Sequence, residues 1–282
     1  MAIEFSPVIS SQSRATGGTF FVKSLELAKL GQRASPIVAL DQFRVRGRPF
    51  GPHPHAGFSA ITYVLEDSAG ACRSRDSLGN DIITGPGGIV WAQSGNGIIH
   101  DETPADPAQE LHGIQLFVNL SARYKSLPPQ VFALANAEVP EWRSSHGDRV
   151  RAVVGSYAGF SSPLTPAERF TLLDAEIKQT ISIDVEASHN LLVYVLSGEM
   201  LARAGRDERK LASDQAVAIS GIEEGGRVSC EALRRAHVLL LYAQEIREPV
   251  VIQGSFIMND AAGVEAALRR FRTGGMGRLA PL

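Results

Sequence analysis

The sequence predicts an all-β protein: two β units in tandem, each a sandwich or barrel, followed by one short helix. Short β-branched and aromatic runs recur about every ten residues, with Gly, Pro, Asn and Asp turns between them. The grammar of the first half returns in the second. Apolar residues reach helical spacing only near the end.

Residues 1–35 read as a lead-in, with one strand in Thr19-Phe20-Phe21-Val22-Lys23 after Gly17-Gly18. Ile37-Val38-Ala39-Leu40-Asp41-Gln42-Phe43 is a second strand, closed by the Arg/Gly/Pro loop at 46–52. Residues 58–65 are β-branched and aromatic, so they and the preceding His53-Pro54-His55 read as extended. Strands also fit 71–75, 81–84 and 88–92, around turn chemistry at 76–80 and at Gly85-Pro86-Gly87. Residues 111–120 alternate, with His112, Ile114, Leu116 and Val118 on one face. Prolines and charges mark 121–150 as a connection, and 163–175 as a polar loop with a short strand at 170–173.

The second unit repeats the pattern: 180–185 alternates, 189–199 echoes 61–66, and strands fit 216–219, 226–230 and 237–242. Leu192, Tyr194 and Leu196, or their alternates, are expected to fill its interior. The units are expected to span 1–135 and 136–282. At the end, Asn259 or Asp260 can cap a helix whose Val264, Ala267, Leu268 and Phe271 share a face. Arg269, Arg270 and Arg272 suit its last turn, and Gly274-Gly275 stops it.

The chemistry concentrates in two spacings. Alternation puts His53 and His55 on one face of an extended segment, and His100 and Glu102 on one face of another. On neighbouring strands these pairs would gather three imidazoles and one carboxylate around a point. With 7 His in 282 residues, chance gives roughly 0.2 His-x-His pairs per chain but roughly 0.7 His-x-Glu pairs. The first pair therefore carries the signal, and the Gly/Pro punctuation beside both supports it. His112, without a carboxylate or second His at ligand spacing, reads as a hydrogen-bonded supporting histidine. His189, His237 and Glu199 are isolated and read as structural, so no metal is expected in the second unit.

Composition excludes several classes. A net charge of −2 gives no reason to expect direct nucleic-acid binding. The cluster at 44–48 is a solvated loop. No apolar run approaches the roughly 20 residues of a membrane span, and Met1-Ala2-Ile3-Glu4-Phe5-Ser6 lacks the start of a signal peptide. Two distant cysteines, Cys72 and Cys230, read as reduced thiols in a cytoplasmic protein; a monomer is also expected.

Five words of the sequence together resemble the pirin family of the cupin superfamily. They are His53-Pro54-His55-x-Gly57-Phe58, Arg75-Asp76-Ser77-Leu78-Gly79-Asn80, Gly95-x-Gly97-Ile98-x-His100-x-Glu102, His112-Gly113-Ile114-Gln115-Leu116-Phe117-Val118-Asn119, and Gly254-Ser255-Phe256-Ile257-Met258-Asn259. The resemblance implies two tandem cupin-type, jelly-roll-like β-barrels, with a metal only in the first, held by His53, His55, His100 and Glu102. It implies Fe(II), with Zn, Ni, Mn or Cu able to take the same ligands. It also implies dioxygenase activity on quercetin or a related phenolic molecule, or, in the alternative, a redox-sensing iron protein that regulates a protein partner. Glu102 is a candidate base and Gln115 a candidate substrate contact. Ala56 departs from the family, where many members carry Arg, and this is expected to alter the charge at the cavity mouth.

Overall fold

The protein is described by a computed structural model covering residues 2–282. Its named strands pair antiparallel throughout, in three main sheets. A seven-stranded sheet runs in the order Gln130–Leu134, Ile89–Gln93, Phe58–Val64, Leu111–Asn119, Ile37–Val45, Phe20–Ser24, Gln12–Thr16. A four-stranded sheet, His53–His55, Ile98–Pro104, Cys72–Asp76, Asp81–Thr84, completes the first unit. The second unit is one ten-stranded sheet whose longest members are His189–Ala204 and Gly226–Gln244. This is the all-β architecture that the strand spacing predicts.

The long alternating strands explain how the units join. Every second residue of the seven-stranded sheet, among them Ile61, Tyr63, Trp91, Ile114 and Leu116, packs on Leu192, Tyr194, Leu239 and Leu241 of the other unit. At roughly 25 cal/mol per Å² of buried apolar surface, this shared core makes the units mutually dependent. The alternates Leu191, Val193 and Val195 fill the second unit's interior. Leu192 and Tyr194, named first as interior residues, instead face the first unit, and Leu196 is only half-buried against that core.

The chain ends cross over. Ile3–Phe5 and Ile9–Ser10 pair with Gln215–Gly221 of the second unit, so residues 3–10 are more than a lead-in. Conversely, Phe256 bridges to Ala56, and Phe256, Ala267 and Met276 pack on Ala56 of the first unit. The expected units 1–135 and 136–282 thus exchange their ends. Residues 121–150, read as a connection, contain Gln130–Leu134 and Glu141–Arg143, each paired into a sheet. The strand expected at 170–173 extends over Phe170–Ile177.

The helix forms at Ala261–Arg272, with the Asp260 carboxylate accepting from the Gly263 N–H at 2.7 Å. Val264 and Ala267 are buried, whereas Phe271 is exposed. No helix among the described residues is long and apolar enough to cross a membrane.

Candidate metal centre

The two His-bearing segments are neighbours because their backbones pair: His53 lies opposite His100, and His55 opposite Ile98. Alternation then turns all three imidazoles to one side. One nitrogen from each ring lies within 4.8 Å of the others, and the ring centroids stand 4.7–4.8 Å apart. Among the described residues this is the one group of three or more His, Cys, Asp or Glu that could hold an ion.

The rings face a cavity of about 210 Å³ between the two sheets of the first unit. Phe43, Phe50, Leu111 and Phe117 supply apolar wall. Glu102 and Gln115 line the same cavity, although Glu102 stands outside the 4.8 Å group. A polar row crosses the sheet here, with Asp41 opposite Gln115 and Gln115 opposite Thr62. Asp41, Thr62 and Cys72 were missed as lining residues. A lone acidic side chain inside the apolar run at 37–43 was the available signal for Asp41.

Burial sets the protonation states. His55 is pushed down to about 3 by burial and then by the neighbouring His53. His100 is held well below the usual imidazole range by burial, with His55 and His53 adding to it. Both rings are therefore neutral near pH 7, the form that binds a metal. His53 spends its Nδ1 on the Gly51 carbonyl at 2.9 Å, which leaves Nε2 for a ligand.

Glu102 is raised to about 7, mainly by burial, against the hydrogen bonds of Thr62 and Ser74. The Thr62 hydroxyl lies 2.6 Å from Glu102 Oε2 and 3.1 Å from Gln115 Oε1, and one proton serves only one of them. A protonated Glu102 can donate to Thr62, which then donates to Gln115. The Nδ1 atoms of His55 and His100 and the Oε1 of Glu102 are buried without a protein partner. Orphaned buried polar atoms call for an explanation. Three imidazoles, with a carboxylate oxygen lining the same cavity, fit a divalent cation.

The C-terminal segment clamps this site from outside. The Ile257 N–H donates to the Ala56 carbonyl at 3.0 Å. Lys125, 5 % exposed, donates to the Gly57 and Ile257 carbonyls and to Asn119 Oδ1, at 2.6–2.8 Å. Burial lowers this ammonium to about 8, and three acceptors match its three N–H donors. Ala56 is fully buried under Phe256, so it faces this segment and not the cavity mouth. The expected effect of Ala56 on mouth charge is therefore corrected.

Gly57 and Gly97 are explained by the same clamp. A Cβ on Gly57 would meet the Ile257 oxygen at 1.9 Å, and its φ of +84° is left-handed. Gly97, at φ +134°, holds Met276 where a Cβ would lie. We expect Gly57→Ala to lower stability by about 1–3 kcal/mol and to weaken metal binding, because the strained residue lies two positions after His55. Chemical denaturation and metal titration of the variant check both.

The remaining histidines lie elsewhere. His112 is on the inter-unit face, bonded to Asp67 and Gln42. His189 stacks on Tyr242 at 5.1 Å, and His237 bonds the buried Asp174. Glu199 pairs with Lys210 and Arg234 on the surface.

Comparison with known proteins agrees with this geometry. The Pirin family profile matches residues 9–118, and the Pirin C-terminal cupin domain profile matches residues 172–277. A Pseudomonas aeruginosa protein named "Putative quercetin 2,3-dioxygenase" is 31% identical over 255 residues, covering 86% of this chain and 87% of that one. Human pirin is 29% identical over 241 residues, covering 84% and 81%. The crystal structure of quercetin 2,3-dioxygenase from Acinetobacter baumannii superposes with a TM-score of 0.85 at 26% identity, over 99% of this chain and 100% of that one. Escherichia coli pirin, solved in complex with nickel(II), shares the fold with a TM-score of 0.65 at 19% identity, over 86% and 100%. With two matching profiles along the chain, a fitting histidine triad and a β-rich cupin-like fold, this protein belongs to the pirin family.

Proposed function

We propose that this protein is an Fe(II)-dependent dioxygenase acting on a flavonol such as quercetin or a related phenolic molecule. His53, His55, His100 and Glu102 would hold the metal. The observation that carries the reading is the convergence of three imidazoles and a buried, unpartnered carboxylate oxygen on one apolar-walled cavity. The relatives named for quercetin dioxygenation support the substrate class.

Bound Fe(II) would supply the one-electron chemistry that lets dioxygen react with an organic molecule. The chain's own groups do the rest. Phe43, Phe50 and Phe117 would hold a planar aromatic ring and exclude water. The Glu102 carboxylate, lining the cavity, would take the proton of a phenolic hydroxyl. Gln115 gives one amide N–H to the Ile61 carbonyl at 3.1 Å, which leaves the second for a substrate oxygen.

The test is oxygen uptake by anaerobically iron-loaded protein with quercetin. We expect the wild type to consume O₂ and Glu102→Gln to fall by roughly 10²-fold or more, the scale of general-base catalysis. Equal rates in the two proteins would assign the oxidation to free iron. Stoichiometric iron without uptake would favour the redox-sensing, partner-regulating reading.

A further inference from the structure

A second cavity, of about 270 Å³, opens between the two units on the far side of the seven-stranded sheet. It shares no titratable group with the metal centre. Its walls come from both units: Lys23 and Arg44 on one side, Ser197 and His237 on the other, with Phe21 and Leu196 between. We propose that this cleft is a binding site for a small organic acid, recognised by His237, Ser197 and Lys23.

The argument starts from how His237 is held. Its Nε2 lies 2.5 Å from Oδ1 of Asp174, a carboxylate 2 % exposed. Asp174 Oδ2 in turn accepts from the Tyr63 hydroxyl, which receives a bond from Arg151 at 2.6 Å. This buried chain fixes the partly exposed ring through Nε2 and leaves Nδ1 without a protein partner among the described residues. Burial works against a proton on His237, yet Asp174, with Glu176 and Glu66, raises its basicity above the usual value. With Nε2–H given to Asp174, Nδ1 accepts in the neutral ring and donates in the protonated one.

Ser197 is the cross-strand neighbour of His237, opposite it in register, and makes no side-chain hydrogen bond among the described residues. Lys23 gives two contacts to Asp214, at 2.8 and 2.9 Å, and one N–H is left over. Arg44 donates to Glu110 at 2.8 Å and stands 3.5 Å from Asp67.

The acceptors are more nearly spent. Gln42 accepts from Tyr194 through Oε1 and meets His112 through Nε2, both at 3.0 Å. His112 turns its other nitrogen to Asp67, the one carboxylate in the lining. Lys23, Arg44 and His237 each already hold a carboxylate, so the cleft offers spare donors and not spare charge, and those donors exceed the free acceptors of the lining. A carboxylate can take two such donors at once. Phe21 and Leu196 suit a short apolar or aromatic remainder.

The probe is benzoate, with neutral benzamide as its isostere, read by ligand-observed NMR. The protein carries His100→Ala, so that a carboxylate cannot be captured by metal. We expect benzoate to bind with a Kd on the order of 1 mM and benzamide to bind at least about fivefold more weakly. His237→Gln keeps a donor to Asp174 but removes the ring's second nitrogen, and should weaken benzoate about tenfold. Lys23→Met, on the opposite wall, should also weaken it and carries the test should His237→Gln fail to fold. The proposal is overturned if benzoate shows no saturable binding, or binds no better than benzamide. Unchanged affinity in folded His237→Gln or in Lys23→Met also overturns it, as does loss in Phe117→Ala, which would place the acid in the metal cavity.

Discussion

His55→Ala and His100→Ala should each return from anaerobic iron loading without stoichiometric metal, while the wild type holds one ion per chain. Each substitution removes one of three imidazole nitrogens that lie within 4.8 Å of one another. Disturbing only an outer partner of a ligand costs about 10–100-fold in affinity, so loss of a ligand itself should cost at least about 10²-fold. Metal analysis after gel filtration decides it, and full occupancy in both variants refutes the assignment. Acid should weaken binding in the wild type, and its source is specific. Burial keeps His55 at about 3 and His100 well below the usual range, so neither ring competes for protons near neutrality. Glu102 takes a proton below about pH 7. Affinity should be level above that pH and fall about tenfold per unit below it, as one proton is displaced by the metal. In Glu102→Gln the slope should become shallower, because the proton that the metal displaces from Glu102 is gone.

Asp174→Ala should cost about 3–5 kcal/mol of stability, the scale for removing one partner of a buried charged network. Asp174 is 2 % exposed and joins His237, from its own unit, to Tyr63 of the first unit. Its removal leaves Arg151, also 2 % exposed, beside a phenol that has lost its acceptor. A lower denaturant midpoint with an unchanged slope is the expected signature. The same pair gives a pH window. Burial would raise Asp174, but His237 outweighs it and holds the acid below its ordinary value of 3.8. That contribution is present above about pH 4 and is lost as pH falls through the lowered folded value. His237 is raised above 6.5, so its contribution is full below that pH and is lost as pH rises through the folded value. The advantage of wild type over Asp174→Ala should therefore be largest between about pH 4 and 6.5.

Several features were legible in the chain because they depend on local geometry. The β class followed from residue type and turn chemistry, and Asp260 capped its helix as the spacing required. Alternation alone set His53 with His55 and His100 with Glu102. It also set Gln115 on the face opposite His112, and in the fold the two occupy different cavities.

The sequence by itself could not decide which face of a long apolar strand turns inward. Leu192 and Tyr194 alternate with Leu191 and Val193, and both sets are buried, one between units and one within a unit. Periodicity shows that two faces exist, but the partner that covers each is set by docking of one unit on the other. The same holds for the clamp at the metal centre. Nothing near Lys125 in sequence predicts that its ammonium will bind the Gly57 and Ile257 carbonyls, 68 and 132 residues away. Nor does position 56 reveal that its side chain lies under Phe256. Local sequence determined the strands, the helix cap and which side chains share a face. Only the tertiary structure brought His53 opposite His100, crossed the chain ends, and buried Asp174 where two units meet, because pairing between distant strands follows from packing of the whole chain and not from spacing along it.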